Sequence, residues 1–217
     1  MTAPAAPLVF VVDDDPTMRR GLARLLRSAG LAVETFPSAE AYRDRPRFEG
    51  TGCLILDICM PGMDGLSLQE ELAKAPDSLP IIFLTGQGNI PSSVRALKRG
   101  ALDFLTKPVD ESALLEAVRS ALERHARERA ASAWMADMRE RLATLSPRER
   151  EVLKGVISGD LNKQIAVKLG IEEATVKVHR GHVMQKLGAA SVADLVHLCG
   201  RLGIEPYPAP PTTTKVQ

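Results

Sequence analysis

Five short apolar runs punctuate the first half of the chain, at residues 8–12, 31–35, 53–58, 80–85 and 102–105. Between them lie stretches whose apolar residues recur three and four positions apart, at 16–29, 38–46, 65–75, 90–99 and from 110 onward. The first set predicts strands and the second helices. Strands this uniformly apolar need cover on both faces, so a strand-helix alternation repeated five times calls for a doubly wound parallel sheet, with ligands at the carboxyl ends of its strands. Local signals agree. Pro16 opens the first helix where no amide donor is needed, Leu22, Leu25 and Leu26 mark its buried stripe, and Gly30 closes it.

The second half changes character. Residues 110–145 contain neither Gly nor Pro, so the fifth helix is expected to run well beyond the sheet. Its apolar positions, Leu114, Leu115, Val118 and Leu122, then Trp134, Met138, Leu142 and Leu145, lose a clean heptad across residues 125–133. That predicts a packed connecting helix rather than a coiled coil. Ser146-Pro147-Arg148-Glu149 is a capping box opening a helix over 147–158, stopped by Gly159. Asn162 is read as the cap of a short helix over 163–169 ended by Gly170. A turn at 171–173 then leads to a longer polar helix over 174–187 ended by Gly188, and a last helix spans 191–202. A short helix, a tight turn and a longer polar helix make a helix-turn-helix. The expected organisation is an α/β five-stranded domain at 1–124, a helical linker at 125–142 and an all-α four-helix domain at 143–204. A Pro- and Thr-rich disordered tail follows at 205–217.

Charge refines this picture. The net charge is only +1, but residues 1–124 carry 14 basic against 17 acidic side chains, and residues 125–217 carry 14 against 10. The C-terminal half is the one to inspect for polyanion binding. No run approaches the ~18 apolar residues that span a membrane, and the first seven residues lack the basic and apolar regions of a secretory signal, so a cytoplasmic protein is expected. Cys53, Cys59 and Cys199 are odd in number and have no metal-ligand spacing, so they support neither a disulfide framework nor a zinc site. Reduced thiols are expected, with Cys59 open to a redox role only if exposed.

The chemistry-bearing residues fall at strand ends. Asp57 closes the apolar run Leu54-Ile55-Leu56 and precedes Cys59-Met60-Pro61-Gly62-Met63-Asp64-Gly65. The first strand ends in Asp13-Asp14-Asp15, the fourth in Thr85, and the fifth just before Lys107-Pro108. A carboxylate can accept a phosphoryl group only if the incoming charge is offset, so a cation held by hard oxygens is expected beside Asp57. Asp13-Asp14-Asp15 also offers the acid spacing of a haloacid-dehalogenase-type magnesium phosphatase, although the chain is short for one and lacks an evident cap domain. The order of motifs, including Gly100 to Pro108, resembles the receiver domain of two-component response regulators. The resemblance implies Asp57 as phosphoacceptor, with Mg2+ bound directly by Asp14, Asp57 and the Cys59 carbonyl and through water by Asp13. It further implies Lys107 on the phosphoryl oxygens, and Thr85 and Phe104 as switch residues. The face made by residues 90–99 and 102–105 would pair two receivers, and Cys59 and Gln87 would tune phosphate lifetime.

Leu145 to Leu153, Asn162-Lys163-Gln164-Ile165-Ala166 and Thr175-Val176-Lys177-Val178-His179 resemble the LuxR-type DNA-binding domain. The whole chain is thus similar to the NarL/FixJ family of response regulators. The implied partners are a sensor histidine kinase, double-stranded DNA, a second copy of the chain after phosphorylation, and RNA polymerase. No membrane partner is implied. On the longer helix, Thr175, Lys177, Val178 and Gly181 share an arc expected to be exposed, and Val176, His179, Val183 and Leu187 face the core. Lys177 can reach guanine and Val178 a thymine methyl. Asn162, Lys163, Thr175, Arg180 and Lys186 suit phosphates, as does His182, and Gly181 stands where relatives often carry a basic residue. An alternative keeps DNA binding constitutive, with the receiver serving only for dimerisation.

Overall fold

The computed structural model describes residues 6–74, 78–86 and 103–207, and the chain divides into two compact units between residues 130 and 131. In the first unit β1 (Leu8–Val12), β2 (Ala32–Phe36), β3 (Gly52–Asp57), β4 (Ile81–Thr85) and β5 (Asp103–Thr106) form one parallel sheet in the order β2-β1-β3-β4-β5. Register pairs Val12 with Leu56, Asp57 with Leu84, and Thr85 with Thr106, so the carboxyl ends of the four central and edge strands lie side by side. This is the flavodoxin-like order, which places its crevice where β1 and β3 diverge.

Period-two alternation divides the strand residues between two cores. Val9, Val11, Cys53, Ile55, Ile82 and Leu84 meet α1 (Pro16–Ser28) and the first part of α4 (Glu111–Ala143) through Leu22, Leu26, Leu114 and Val118. Phe10, Val12, Leu54, Leu56, Ile81 and Phe83 meet α2 (Ala39–Arg43) and α3 (Gly65–Leu72) through Tyr42 and Leu68. Each such side chain contributes about 1.5–3 kcal/mol on burial. Helix α2 stops earlier than the apolar spacing suggests because Pro46 disfavours helical geometry at Arg45. The Arg45 guanidinium lies over the Phe10 and Tyr42 rings instead. The expected helix at 90–99, Gln87 and Leu102 lie outside the described residues.

Helix α4 is continuous over 33 residues. His125, in the stretch that interrupts the apolar spacing, is buried, and its Nδ1 accepts a hydrogen bond from the Gly52 N–H at 3.0 Å. The helix therefore remains fixed to the start of β3 beyond the expected domain edge at 124.

In the second unit α5 (Pro147–Ile157), α6 (Asn162–Leu169), α7 (Glu173–Leu187) and α8 (Val192–Arg201) surround Leu145, Leu153, Val156, Ile165, Val176, Val183, Leu187 and Leu195. Gly170 ends α6 with φ of 64°, a left-handed conformation that sets up the turn into α7 without a Cβ penalty. One capping assignment is corrected. Asn162 is already helical, Leu161 occupies the cap position, and the Gln164 side chain accepts from the Leu161 N–H at 2.7 Å. Within the stretch expected to be a disordered tail, Tyr207 is held on the domain: its N–H donates to Ser158 Oγ at 2.8 Å and its hydroxyl donates to the Glu151 carbonyl.

Candidate functional site

The sheet delivers Asp13, immediately after β1, and Asp57, at the end of β3, to one place, both buried. Lys107, just past β5, reaches between them: its Nζ lies 2.8 Å from Asp13 Oδ2 and 2.7 Å from Asp57 Oδ2. Asp14 is exposed, yet donor oxygens of Asp13, Asp14 and Asp57 all lie within 4.8 Å of one another. Burial pushes the Asp13 carboxyl above its usual range, outweighing the Lys107 and Asp15 hydrogen bonds that pull it down. Burial pulls the Lys107 ammonium downward, but hydrogen bonds and charge from Asp13 and Asp57 prevail and its net shift is upward. Three acids, only two of them paired with the one ammonium, leave an excess of hard anionic oxygen, the donor set of a divalent cation of the magnesium type.

The loop after Asp57 is held closely. The Cys59 N–H points to Asp57 Oδ1 at 3.3 Å. At Gly65 any Cβ would collide with the Asp57 carbonyl, so the first turn of α3 can approach β3 only with glycine there. Asp64 caps that helix by accepting from the Ser67 N–H at 2.7 Å. Glu40, which the sequence reading missed, accepts from the Met63 N–H at 2.8 Å and straps the loop to α2; that N–H holds its carboxyl below the usual range. Only a contact 23 residues apart in sequence could have revealed it. Thr85 is buried at the end of β4 and donates to the Gly86 carbonyl at 3.1 Å. Phe104, opposite Phe83 in register, is half-buried and packs on the core beneath α2 and α3. Cys59 is exposed, whereas burial pushes the Cys53 thiol up to about 12.

In the second unit Lys177, Val178 and Gly181 are exposed on α7, with Val178 at 55% accessibility, while Val176, Val183 and Leu187 are buried. Thr175 and Arg180 are half-buried, Lys163 lies on the surface in the first turn of α6, and Arg180 Nη1 donates to Asn162 Oδ1 at 2.9 Å, joining the two helices. Lys186 and His182 turn toward α5. Lys186 Nζ lies 2.7 Å from Glu149 Oε2, and His182 Nδ1 lies 3.3 Å from Glu149 Oε1. Glu149 also completes the capping box, accepting from the Ser146 N–H at 2.8 Å. The sequence signalled the cap but not that the same carboxylate grips the longer helix.

Lys186 and the Ser146 N–H hold the Glu149 carboxyl down to about 2, from an ordinary 4.5. A depressed carboxyl contributes stability that is complete above its unfolded value and lost as pH falls through its folded one. Glu149→Gln is expected to cost about 1–2 kcal/mol at neutral pH, and its deficit relative to wild type should shrink between about pH 4.5 and 2. Thermal melts of both proteins across that window check this; a deficit independent of pH would contradict it.

A strand-end acid pair bridged by lysine on a flavodoxin-like sheet, followed by a helix-turn-helix, defines a phosphoacceptor module joined to a DNA-binding module. Comparison with known proteins agrees. The family described as response regulator receiver domain matches residues 9–119, and bacterial regulatory proteins of the luxR family match residues 143–199. Nodulation protein W of Bradyrhizobium diazoefficiens is 49% identical over 197 residues, covering 91% of this chain and 87% of that protein. The transcriptional regulatory protein FixJ of Azorhizobium caulinodans is 42% identical over 198 residues, covering 91% and 94%. Among solved structures, that of the response regulator StyR superposes with a TM-score of 0.84 at 50% identity, covering 91% of this chain and all of that one. The chain belongs to the NarL/FixJ family of response regulators, and is a phosphorylatable, DNA-binding regulator of transcription rather than an enzyme in the usual sense. Among the described residues no helix is long and apolar enough to cross a membrane.

Proposed function

We propose that Asp57 accepts a phosphoryl group from a sensor histidine kinase and that the modified receiver pairs with a second copy, presenting two reading helices to an inverted DNA site. The observation that carries this is the Asp13–Lys107–Asp57 bridge at the carboxyl edge of the sheet. Asp13, Asp14, Asp57 and the Cys59 carbonyl would hold Mg2+, which supplies charge neutralisation at the phosphoryl oxygens. The protein's share is positioning: β3 aims Asp57, Lys107 offers a point charge, and Thr85 offers a hydroxyl. The self-catalysed transfer onto Asp57 and its hydrolysis would be the only reactions here.

Phosphorylation adds roughly 1.5 to 2 negative charges. Thr85 moving toward them would vacate space for Phe104, whose ring has no hydroxyl to expose and packs as a purely apolar body. Of the pairing face expected at residues 90–99 and 102–105, only residues 103–105 lie among those described. Pairing would set the reading helices about 34 to 36 Å apart and make the second DNA contact intramolecular. Bound dimers would then present a surface to RNA polymerase. Sedimentation with and without beryllofluoride tests the scheme. A monomer–dimer equilibrium that stays fixed while DNA affinity rises would replace pairing with release of the DNA-binding domain.

On DNA, the exposure of Lys177, Val178 and Gly181 supports base reading by that arc, whereas Lys163, Asn162, Thr175 and Arg180 suit phosphates. Lys177→Ala is expected to relax discrimination at one base position by ~1 to 3 kcal/mol, and Lys163→Ala to weaken all DNA alike and flatten the salt slope by about one unit. Binding titrations on single-base operator variants at several salt concentrations distinguish the two; equal, sequence-blind losses would contradict the division. Lys186 and His182 reach phosphate only by leaving Glu149.

A further inference from the structure

We propose that Glu149, His179 and His182 form a site for a zinc-type transition-metal ion that ties α5 to the reading helix α7. One donor atom from each residue lies within 4.8 Å of the other two. His179 and His182 stand three apart on α7, which puts both imidazoles on one stripe of that helix, and Glu149 meets them from the first turn of α5.

Two observations point to an ion rather than to a simple ion pair. The 3.3 Å between Glu149 Oε1 and His182 Nδ1 is long for a charge-assisted hydrogen bond, which favours about 2.7–2.9 Å. It matches the edge of a tetrahedron around an ion with bonds of about 2.0–2.1 Å, roughly 3.3–3.4 Å. Independently, Nδ1 of His179 is buried and has no hydrogen-bond partner, although buried polar nitrogens ordinarily have one. The carboxylate is suitably divided. Its Oε2 accepts from the Ser146 N–H and from Lys186, which leaves Oε1 for the ion.

Two imidazoles and one carboxylate select zinc and its neighbours over magnesium or calcium, which favour all-oxygen sets. Three protein ligands leave a fourth position for water. The stripe of 179, 182 and 186 borders the arc of Lys177, Val178 and Gly181, with His182 one turn beyond Val178, so an ion here would fix the rotation of α7 against α5 beside the reading arc.

The test uses the full-length protein stripped with chelator, in excess Mg2+ to occupy the strand-end carboxylates, with Co2+ as a visible probe and Zn2+ as competitor. One Co2+ per chain with the ligand-field bands of a tetrahedral nitrogen–oxygen site, displaced by Zn2+, is expected. His182→Asn, at an exposed position, should keep wild-type circular dichroism and lower the affinity at least about tenfold; His179→Gln must weaken the same bands. Absence of such bands, sulfur-to-cobalt charge-transfer bands in their place, or undiminished binding by His182→Asn would overturn the assignment.

Discussion

Asp57→Asn protein is expected to incorporate no label from acetyl phosphate and Mg2+. The amide is a poor nucleophile toward phosphorus, and the change also removes one of three acids that would hold the cation. Lys107 retains Asp13 as a partner at 2.8 Å, so the fold survives while the chemistry is lost. The proposed pairing on DNA would convert the second contact into an intramolecular one worth about a hundredfold or more in affinity. The gain that phosphodonor gives the wild type should therefore vanish in the variant. Label retained on Asp57→Asn would move the acceptor elsewhere. Operator binding by Asp57→Asn equal to that of wild type in the presence of phosphodonor would favour constitutive DNA binding.

The second large effect concerns Lys107. Asp13 is fully buried and Asp57 nearly so, and both carboxylates rest on this one ammonium. Lys107→Met leaves two like charges enclosed without it. Breaking an enclosed pair costs ~3 to 5 kcal/mol, and the partial exposure of Lys107 reduces this to about 2–3 kcal/mol in Mg2+-free buffer. Because a divalent ion held there would neutralise the same oxygens, Mg2+ should stabilise Lys107→Met more than wild type. Urea unfolding of both proteins with and without Mg2+ decides the matter. An unchanged midpoint without Mg2+, or an Mg2+ gain no greater than that of wild type, would show that lysine and cation do not share a site.

The elements that the sequence revealed best are those determined by neighbours in sequence. The period-two strands, Pro16 opening α1, the Ser146–Glu149 box and the glycines closing α6 and α7 are all local physics, and parallel pairing then places Asp13, Asp57, Thr85 and Lys107 together. What stayed hidden depends on long-range contact. Glu40 on Met63, His125 on Gly52, and Lys186 and His182 on Glu149 join residues separated by 23 to 73 positions, and polar residues on helix surfaces carry no mark of such partners. Asn162 shows the opposite error. Its composition suits a cap, but Gln164 supplies the cap one residue earlier, which leaves the Asn162 amide oxygen to accept from Arg180.

The hydrogen bond from the Gly52 amide to the His125 ring has a spectroscopic consequence. Most amides within β3 are protected by neighbouring strands and exchange with solvent only when the sheet opens. Gly52 donates instead to a side chain on α4, so its exchange rate reads attachment of the helix rather than integrity of the sheet. In a nitrogen–proton spectrum that single glycine resonance would act as a built-in gauge, telling whether the long helix stays seated at the foot of the very strand whose other end carries Asp57.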